Sequence, residues 1–344
     1  MMKNIIKLIL LLLGVWGSYS SSLGQNYTPN VHRIWDSGKH NAFPDLLHAH
    51  GYFYCTFREG SSHIDDSNDG LVRIVRSTDF KNWETIAVFE HPAADVREAR
   101  LSMMPDGRIL ANLAVGYWRG ADRYVWLRPY VSISDASGRN FSAIEAAAVD
   151  PRLSEAKDWI WRVTWHKGEG YGIMYRVFED TRNPSQAVLV KTKNGKDYEF
   201  VSTLPVDGQP NESTIRFDQQ GNMVVVVRRE AGDQKGVIVK SKSPFIEWNF
   251  FPLGWRLGGP NYEFLDTNTL LIGSRYPTEQ GSKTALVTTD IEGNIKKTML
   301  LPSAGDNSYP GMVVHKGQLY MVYYSSHEGK TAIYFTQIPL KEFH

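Results

Sequence analysis

A turn motif of the form Ser/Thr-x-Asp/Asn, with a Gly or aromatic residue just after it, recurs about once every fifty residues along this chain of 344. It reads Ser77-Thr78-Asp79-Phe80-Lys81-Asn82-Trp83, then Ser134-Asp135-Ala136-Ser137-Gly138-Arg139-Asn140-Phe141, then Thr192-Lys193-Asn194-Gly195. Weaker copies stand at Ser241-Lys242-Ser243-Pro244 with Trp248, and at Thr288-Thr289-Asp290-Ile291-Glu292-Gly293. The equivalent positions 79, 135, 194, 244 and 290 are 56, 59, 50 and 46 residues apart. That is the period of a four-stranded blade rather than of a helical repeat, so the chain is expected to be all-β and to fold as a β-propeller.

The chemistry of the motif agrees. An Asp or Asn side chain accepts hydrogen bonds from backbone amides two residues on, Gly takes a positive φ, and the aromatic plugs the neighbouring sheet, so each copy should join two outer strands of a blade. Between copies lie short apolar or alternating runs: Tyr52 to Phe57, Leu71 to Val75, Val188 to Val190, Met223 to Val227 and Leu319 to Tyr324. No window sustains a helical period, and Ala143 to Ala156 reads as a loop with a helical turn.

Residues 1–25 have the order of a secretory signal peptide. Lys3 and Lys7 precede the apolar run Leu8 to Trp16, small residues Ser20 to Gly24 follow, and cleavage is expected near Gly24 or Gln25. The run is short for a spanning helix, and no Cys follows it to carry a lipid, so a membrane anchor is not expected. Residues 26–344 then form one domain of six blades, each about 53 residues long, with the strand around His32 to Trp35 closing the last blade. The single Cys, Cys55, sits in an apolar run and reads as a small buried thiol; export without disulfides suits a periplasmic or secreted protein. With 38 Lys+Arg against 37 Asp+Glu the net charge is +1, which leaves no electrostatic footprint for nucleic acid or a membrane surface. A glycan or small saccharide is the expected partner.

In a propeller, polar residues just beyond the apolar inner strands point into the central funnel. The chain supplies Arg58-Glu59 with His63, Asp95 with Arg97 and Glu98, Arg162 with His166, Asn211-Glu212, Arg228, Arg275, and Asp306 with Tyr309. Arginines and carboxylates also satisfy one another between blades, and for Arg97, Glu98, Arg162 and Glu230 that structural reading stands beside the catalytic one.

Glu212, then Arg228 sixteen residues on, then Arg275, then Tyr309 inside Asp306-Asn307-Ser308-Tyr309, resembles the series found in bacterial sialidases (neuraminidases), six-bladed propellers bearing such Asp-box turns. The resemblance covers essentially the whole chain after the leader. It implies a Tyr nucleophile (Tyr309), a Glu acting as its base (Glu212), arginines that hold a substrate carboxylate (Arg228 and Arg275), and an acid/base on a first-blade loop, matched by Asp66. Two departures are visible. Ala42-Phe43-Pro44 stands where the family carries an Arg-Ile-Pro-like segment, and Ser325 follows the last inner run where a Glu usually steadies that arginine. The two losses are coupled, because an orphaned carboxylate in a dry funnel costs several kcal/mol. The carboxylate clamp is therefore altered as a unit; Arg58 and Arg97 are the nearest replacements, and sialic acid is not the expected substrate.

Read without the family, the same residues make chemical sense. A phenol with a pKa near 10 needs a carboxylate within reach to become a nucleophile, and a neutral nucleophile suits an anionic sugar. Arginine offers a planar fork that matches a carboxylate two bonds at a time. His63 competes with Asp66 as acid/base, since imidazole titrates near neutrality; a solvated loop histidine is the plainer alternative. Asp65, Asp66 and Asp69 crowd one loop but lack the Gly-spaced pattern of an EF-hand, so no metal and no cofactor are expected. Trp118, Trp159, Trp161 and Trp165 offer sugar-stacking surface or blade core. The expectation is an exo-glycosidase acting on a terminal acidic sugar, with catalytic Tyr309, Glu212 and Asp66 or His63, and substrate held by Arg58, Arg97, Arg228, Arg275, Arg162 and His166. The alternatives are a propeller glycosidase or lyase on uronic-acid or rhamnose-containing glycans with His63 or His166 moving the proton, and a glycan-binding propeller without catalysis.

Overall fold

The computed structural model describes residues 27–64, 67–120, 124–153, 157–178 and 185–344. The leader assigned to residues 1–25 lies outside them, as do Asp65 and Asp66. The described residues form six sheets, and each is a blade whose first strand lines the axis. The six innermost strands are His40–Ala49, Asp95–Met103, Lys157–His166, Pro210–Phe217, Asn261–Asp266 and Asn307–His315. Blade three adds a short fifth strand, Ala148–Val149, parallel to its neighbour Asp197–Leu204.

Blade six is completed by Val31–Trp35, which pairs antiparallel with Ala332–Pro339 (Val31 opposite Thr336). The strand expected to close the ring does so. It also explains why five turn motifs serve six blades. Every copy sits between the third and fourth strand of its sheet, and in blade six that junction is made across the ring instead of by a turn.

The turns have the expected bonding. Asp79 Oδ1 accepts from the backbone N–H groups of Lys81 (2.9 Å) and Asn82 (2.8 Å), and Ser77 Oγ accepts from Phe80 N–H. Asn194 repeats this with Lys196 and Asp197, both at 2.9 Å. The Phe80 ring reaches across the seam to stack on Phe335 of blade six, centroids 4.3 Å apart. Cys55 is wholly buried in the second strand of blade one, and burial pushes its thiol well above the usual range.

One irregularity recurs where chemistry is expected. In each blade the innermost strand carries one extra residue relative to its partner; in blade five it lies at the strand's far end, between Phe264 and Asp266, and in the other five it falls nearer the start, between Ala42 and Asp45, Arg97 and Arg100, Ile160 and Val163, Pro210 and Ser213, and Ser308 and Gly311. A bulge breaks the period of two and re-aims a side chain that would otherwise enter a blade. Phe43, Glu98 and Tyr309 lie inside these bulges with φ of 58°, 40° and 53°. Bulky side chains avoid that region, so the surrounding packing holds them there. Below the bulges Asp45, fully buried, accepts both η nitrogens of Arg162 at 2.9 and 2.8 Å and the N–H of Leu101 at 2.8 Å, tying blades one, two and three across the channel.

Candidate active site

At the end of the channel where the inner strands begin, Tyr309 donates its hydroxyl proton to Glu212 Oε1 at 2.6 Å. The same hydroxyl accepts from Arg228 Nη1 at 3.0 Å, and Arg228 also pairs with Glu212 Oε2 and with Glu230. The backbone N–H of Gly259 donates to Glu212 Oε2 at 2.9 Å. Burial works against the charged form of Glu212, but the Arg228 guanidinium and the Tyr309 bond outweigh it and hold the carboxyl below its usual range. Burial and then the Glu212 charge push the Tyr309 phenol well above its own. The pair therefore rests as phenol and carboxylate, with the acceptor for the phenolic proton already bonded to it.

The floor around Tyr309 is aromatic. Phe43 meets it edge-on with centroids 5.0 Å apart, and Phe43 also packs against Tyr324 and His63. Trp161, nearly fully buried, lies 5.9 Å from the Tyr309 ring and carries the Arg100 guanidinium over its face at 4.3 Å. Arg100 donates to Glu98 at 3.3 Å and Arg97 donates to the same carboxylate at 3.2 Å. Burial raises the Glu98 pKa against the pull of these two guanidinium groups.

The arginines differ in how far they are committed. Arg58 and Arg97 both bond Asp95, at 3.0 and 3.1 Å, and Arg58 Nη1 donates to the Ser62 carbonyl. Both are thus already paired with a carboxylate in this structure. Arg275 is held differently. Its Nε and Nη2 donate to the neutral carbonyl of Asn307 at 3.1 and 2.8 Å, with Asp306 at 3.7 Å, and its side chain is 29 % exposed.

Asp306 is the hub of a second cluster. Its Oδ2 is bonded by His63 Nδ1 at 2.7 Å and His40 Nε2 at 3.0 Å, and its Oδ1 by the Tyr324 hydroxyl at 2.7 Å. Burial opposes its charge, yet the bonds from His40 and His63 keep its pKa far below the usual carboxylate range. Burial lowers the His63 pKa against the pull of Asp306. Among the described residues, His40, His63 and Asp306 are also the group whose donor atoms are close enough to surround a cation. The observed separations are those of hydrogen bonds, shorter than the ~3.3 Å between ligand atoms 2.0–2.1 Å from a tetrahedral zinc ion.

Tyr309, Glu212, Arg228, Arg275, His63, Arg58 and Arg97 are thus brought to one mouth. Two expected site residues are placed elsewhere. Arg162 is spent on Asp45 in mid-channel and bounds a cavity of about 300 Å³ that opens at the opposite end, beside Trp165 and Arg216. His166 ends its strand five residues beyond Trp161, about 16 Å further along at 3.3 Å per residue, and stacks on Phe217. The sequence reading did not single out His40, met Phe43 only as the residue standing in place of an arginine, and placed Asp306 and Glu98 in the funnel without a specific role. The signal for Phe43, Glu98 and Tyr309 is the bulge, which leaves no mark in hydrophobic periodicity. Trp159 and Trp161 are core beneath the site.

The blade count, the strand order and the ring closure define a six-bladed β-propeller of sialidase type. The chain superposes on a protein of unknown function from Dyadobacter fermentans with TM-score 0.75 and 17 % identity, over 91 % of this chain and all of that one. It matches the Hadza microbial sialidase Hz136 with TM-score 0.73 and 15 % identity, over 91 % and 69 % of the two chains. An α-L-arabinofuranosidase from Fusarium graminearum, solved as a point mutant with an iminosugar inhibitor, matches with TM-score 0.65 and 14 % identity over 88 % and 94 %. No protein-family model and no curated protein matches the sequence.

Proposed function

We propose that this protein is an exo-acting glycoside hydrolase in which Tyr309 attacks the anomeric carbon of a terminal sugar while Glu212 takes its proton. The observation that carries the reading is the 2.6 Å bond between Tyr309 and Glu212 at the mouth of the funnel. A phenol at rest is a poor nucleophile; a carboxylate already bonded to it removes the proton as the new bond forms, and no free phenolate is needed. Arg228, donating to the phenolic oxygen, stabilises the charge that develops there. The proton for the leaving oxygen comes from the first-blade loop that carries His63 and Asp66.

Among the described arginines of the mouth Arg275 is the least committed, with its carboxylate, Asp306, 3.7 Å away and its shorter bonds going to a neutral carbonyl, which favours a sugar bearing one carboxylate. With Phe43 rather than an arginine on the first inner strand, and with Arg58 and Arg97 engaged by Asp95, the fit is to a uronic acid more than to a sialic acid. Incubation with sialyllactose, aryl glucuronides and galacturonides, aryl arabinofuranosides and a panel of host and plant glycans, followed by analysis of released sugar, tests the reading. Trapping with a fluorinated glycosyl fluoride of the released sugar should leave the adduct on Tyr309 by peptide mass spectrometry. An adduct on a carboxylate, or no sugar released from any substrate, refutes it. Secretion is proposed on the leader alone, and a processed N-terminus near Gln25 in the exported protein tests it.

A further inference from the structure

We infer that His63, held by Asp306, is the proton-transfer residue of this site, with His40 and Tyr324 as the groups that position Asp306. The inference rests on the glycosidase reading for its chemistry and on the hydrogen-bond geometry for its assignment. An ionised carboxylate only accepts, so both imidazoles that touch Asp306 Oδ2 must present N–H to it. His63 therefore carries its proton on Nδ1 in the neutral state, which leaves Nε2 as the unprotonated nitrogen of a side chain that is 42 % exposed. The loop is fixed from the other side by Arg97, which donates to the His63 carbonyl at 3.0 Å. Phe43 supports the ring edge-on and touches Tyr309 as well, so His63 and the nucleophile flank one aromatic floor.

The two histidines are not equivalent. Nδ1 of His40 is buried with no hydrogen-bond partner among the described residues. His40 therefore serves Asp306 through Nε2 alone from a largely buried ring, and His63, the more exposed of the two, is the imidazole that a substrate can reach. Tyr324 completes the carboxylate through Oδ1. Among the described residues the charged and titratable groups that face His63 are Asp306 from blade six, His40 from the first inner strand and Arg97 from the second, with Tyr324 and Arg275 reaching it only through Asp306.

Atoms balance over two half-reactions. As the bond from the anomeric carbon to the leaving oxygen breaks, the Nε2 proton of the His63 imidazolium passes to that oxygen. The Tyr309 oxygen bonds to the carbon and its proton passes to Glu212. In the second half a water adds to the carbon and gives its proton to the neutral Nε2, while the Tyr309 oxygen leaves and recovers its proton from Glu212. The acid form of His63 is needed first, so turnover of glycosides with poor leaving groups falls as pH rises through a pKa below the ordinary histidine value.

The test compares a methyl and a 2,4-dinitrophenyl glycoside of the sugar released in the screen above. His63→Ala should lose about 10²- to 10⁴-fold on the methyl glycoside and under tenfold in the first half-reaction on the dinitrophenyl one, whose leaving group needs no proton. Azide should restore turnover with formation of glycosyl azide. Asp306→Asn should keep the fold and move the alkaline limb of the methyl-glycoside profile to lower pH. Equal losses on both substrates overturn the assignment, as does activity lost to a chelator and restored by zinc, which would make the cluster a metal site. A wild type that releases no sugar defeats the hydrolase reading instead. The assignment is then decided by nitrogen NMR of the histidines, where a neutral His63 protonated on Nε2 overturns it.

Discussion

The α-carbon of Gly259 faces the ring of Tyr309 so closely that a β-carbon there would fall well inside contact distance of Cγ, Cδ1 and Cδ2. Gly259 also has φ of +60°, and its N–H holds Glu212. One residue of the loop that joins blades four and five thus sets the position of both members of the pair.

Gly259→Ala should therefore displace the Tyr309 ring, cost about 1–3 kcal/mol in overpacking and backbone strain, and reduce turnover more than a hundredfold. Chemical denaturation together with steady-state kinetics checks both. A variant as active as the parent would show that the ring position is not critical.

Tyr309→Phe removes one oxygen and leaves Glu212 bonded to Arg228 and to the Gly259 N–H, so the fold should persist with a small change in melting temperature. Activity should drop by at least about 10³-fold. Glu212→Gln should lose about 10²- to 10⁴-fold, the usual range for a general base. Single-turnover kinetics on an activated aryl glycoside separates these effects from product release.

Arg275→Ala should raise KM for an acidic substrate roughly ten- to a hundredfold, the equivalent of about 1.5–3 kcal/mol for a hydrogen bond to a charged group, and leave neutral aryl glycosides unchanged. The parent should act on a glucuronide better than on a sialoside. Efficient sialic-acid release would mean that the arginines engaged by Asp95 let go of it on binding.

Asp45→Ala strands the Arg162 guanidinium in mid-channel and should cost about 3–5 kcal/mol, because a buried charge loses its partner. Asp45→Ala combined with Arg162→Met should recover much of that loss. Urea melts of the two variants measure it.

The pKa of Asp306 is depressed in the fold, so its bonds contribute stability above the unfolded value near 3.9, and that contribution disappears as pH falls through the folded value. Asp306→Asn should be destabilising at pH 7, and the gap from wild type should narrow below about pH 4. A gap that is constant with pH would mean that the carboxylate charge is not what the histidines hold.

The blade period, the outer-strand turns and the closing strand were legible because each rests on local chemistry: an Asp or Asn capping its own turn, and alternation along a strand. Tyr309, Glu212, Arg228 and Arg275 were singled out by the order and spacing that carry the family resemblance, and the structure brings the first three into contact. His166 was not placed correctly because the inner strand Lys157–His166 has polar residues at both ends, and only one end faces the Tyr309 mouth. For Arg58 and Arg97 the sequence offered both a substrate role and an ion pair, and it does not show that both will share Asp95. Phe43 was hidden by its bulge, which turns a core-type residue into the floor of the site.

The pairing of Val31–Trp35 with Ala332–Pro339 joins segments about three hundred residues apart, and the sheet it seals is the one that presents Tyr309 and Asp306. Five blades can form from neighbours in sequence, but the blade bearing Tyr309 waits for the most distant contact in the ring. Hydrolysis should thus appear last during refolding, after the tryptophan signals of the other blades have settled, which makes enzymatic activity a chemical clock for closure of the circle.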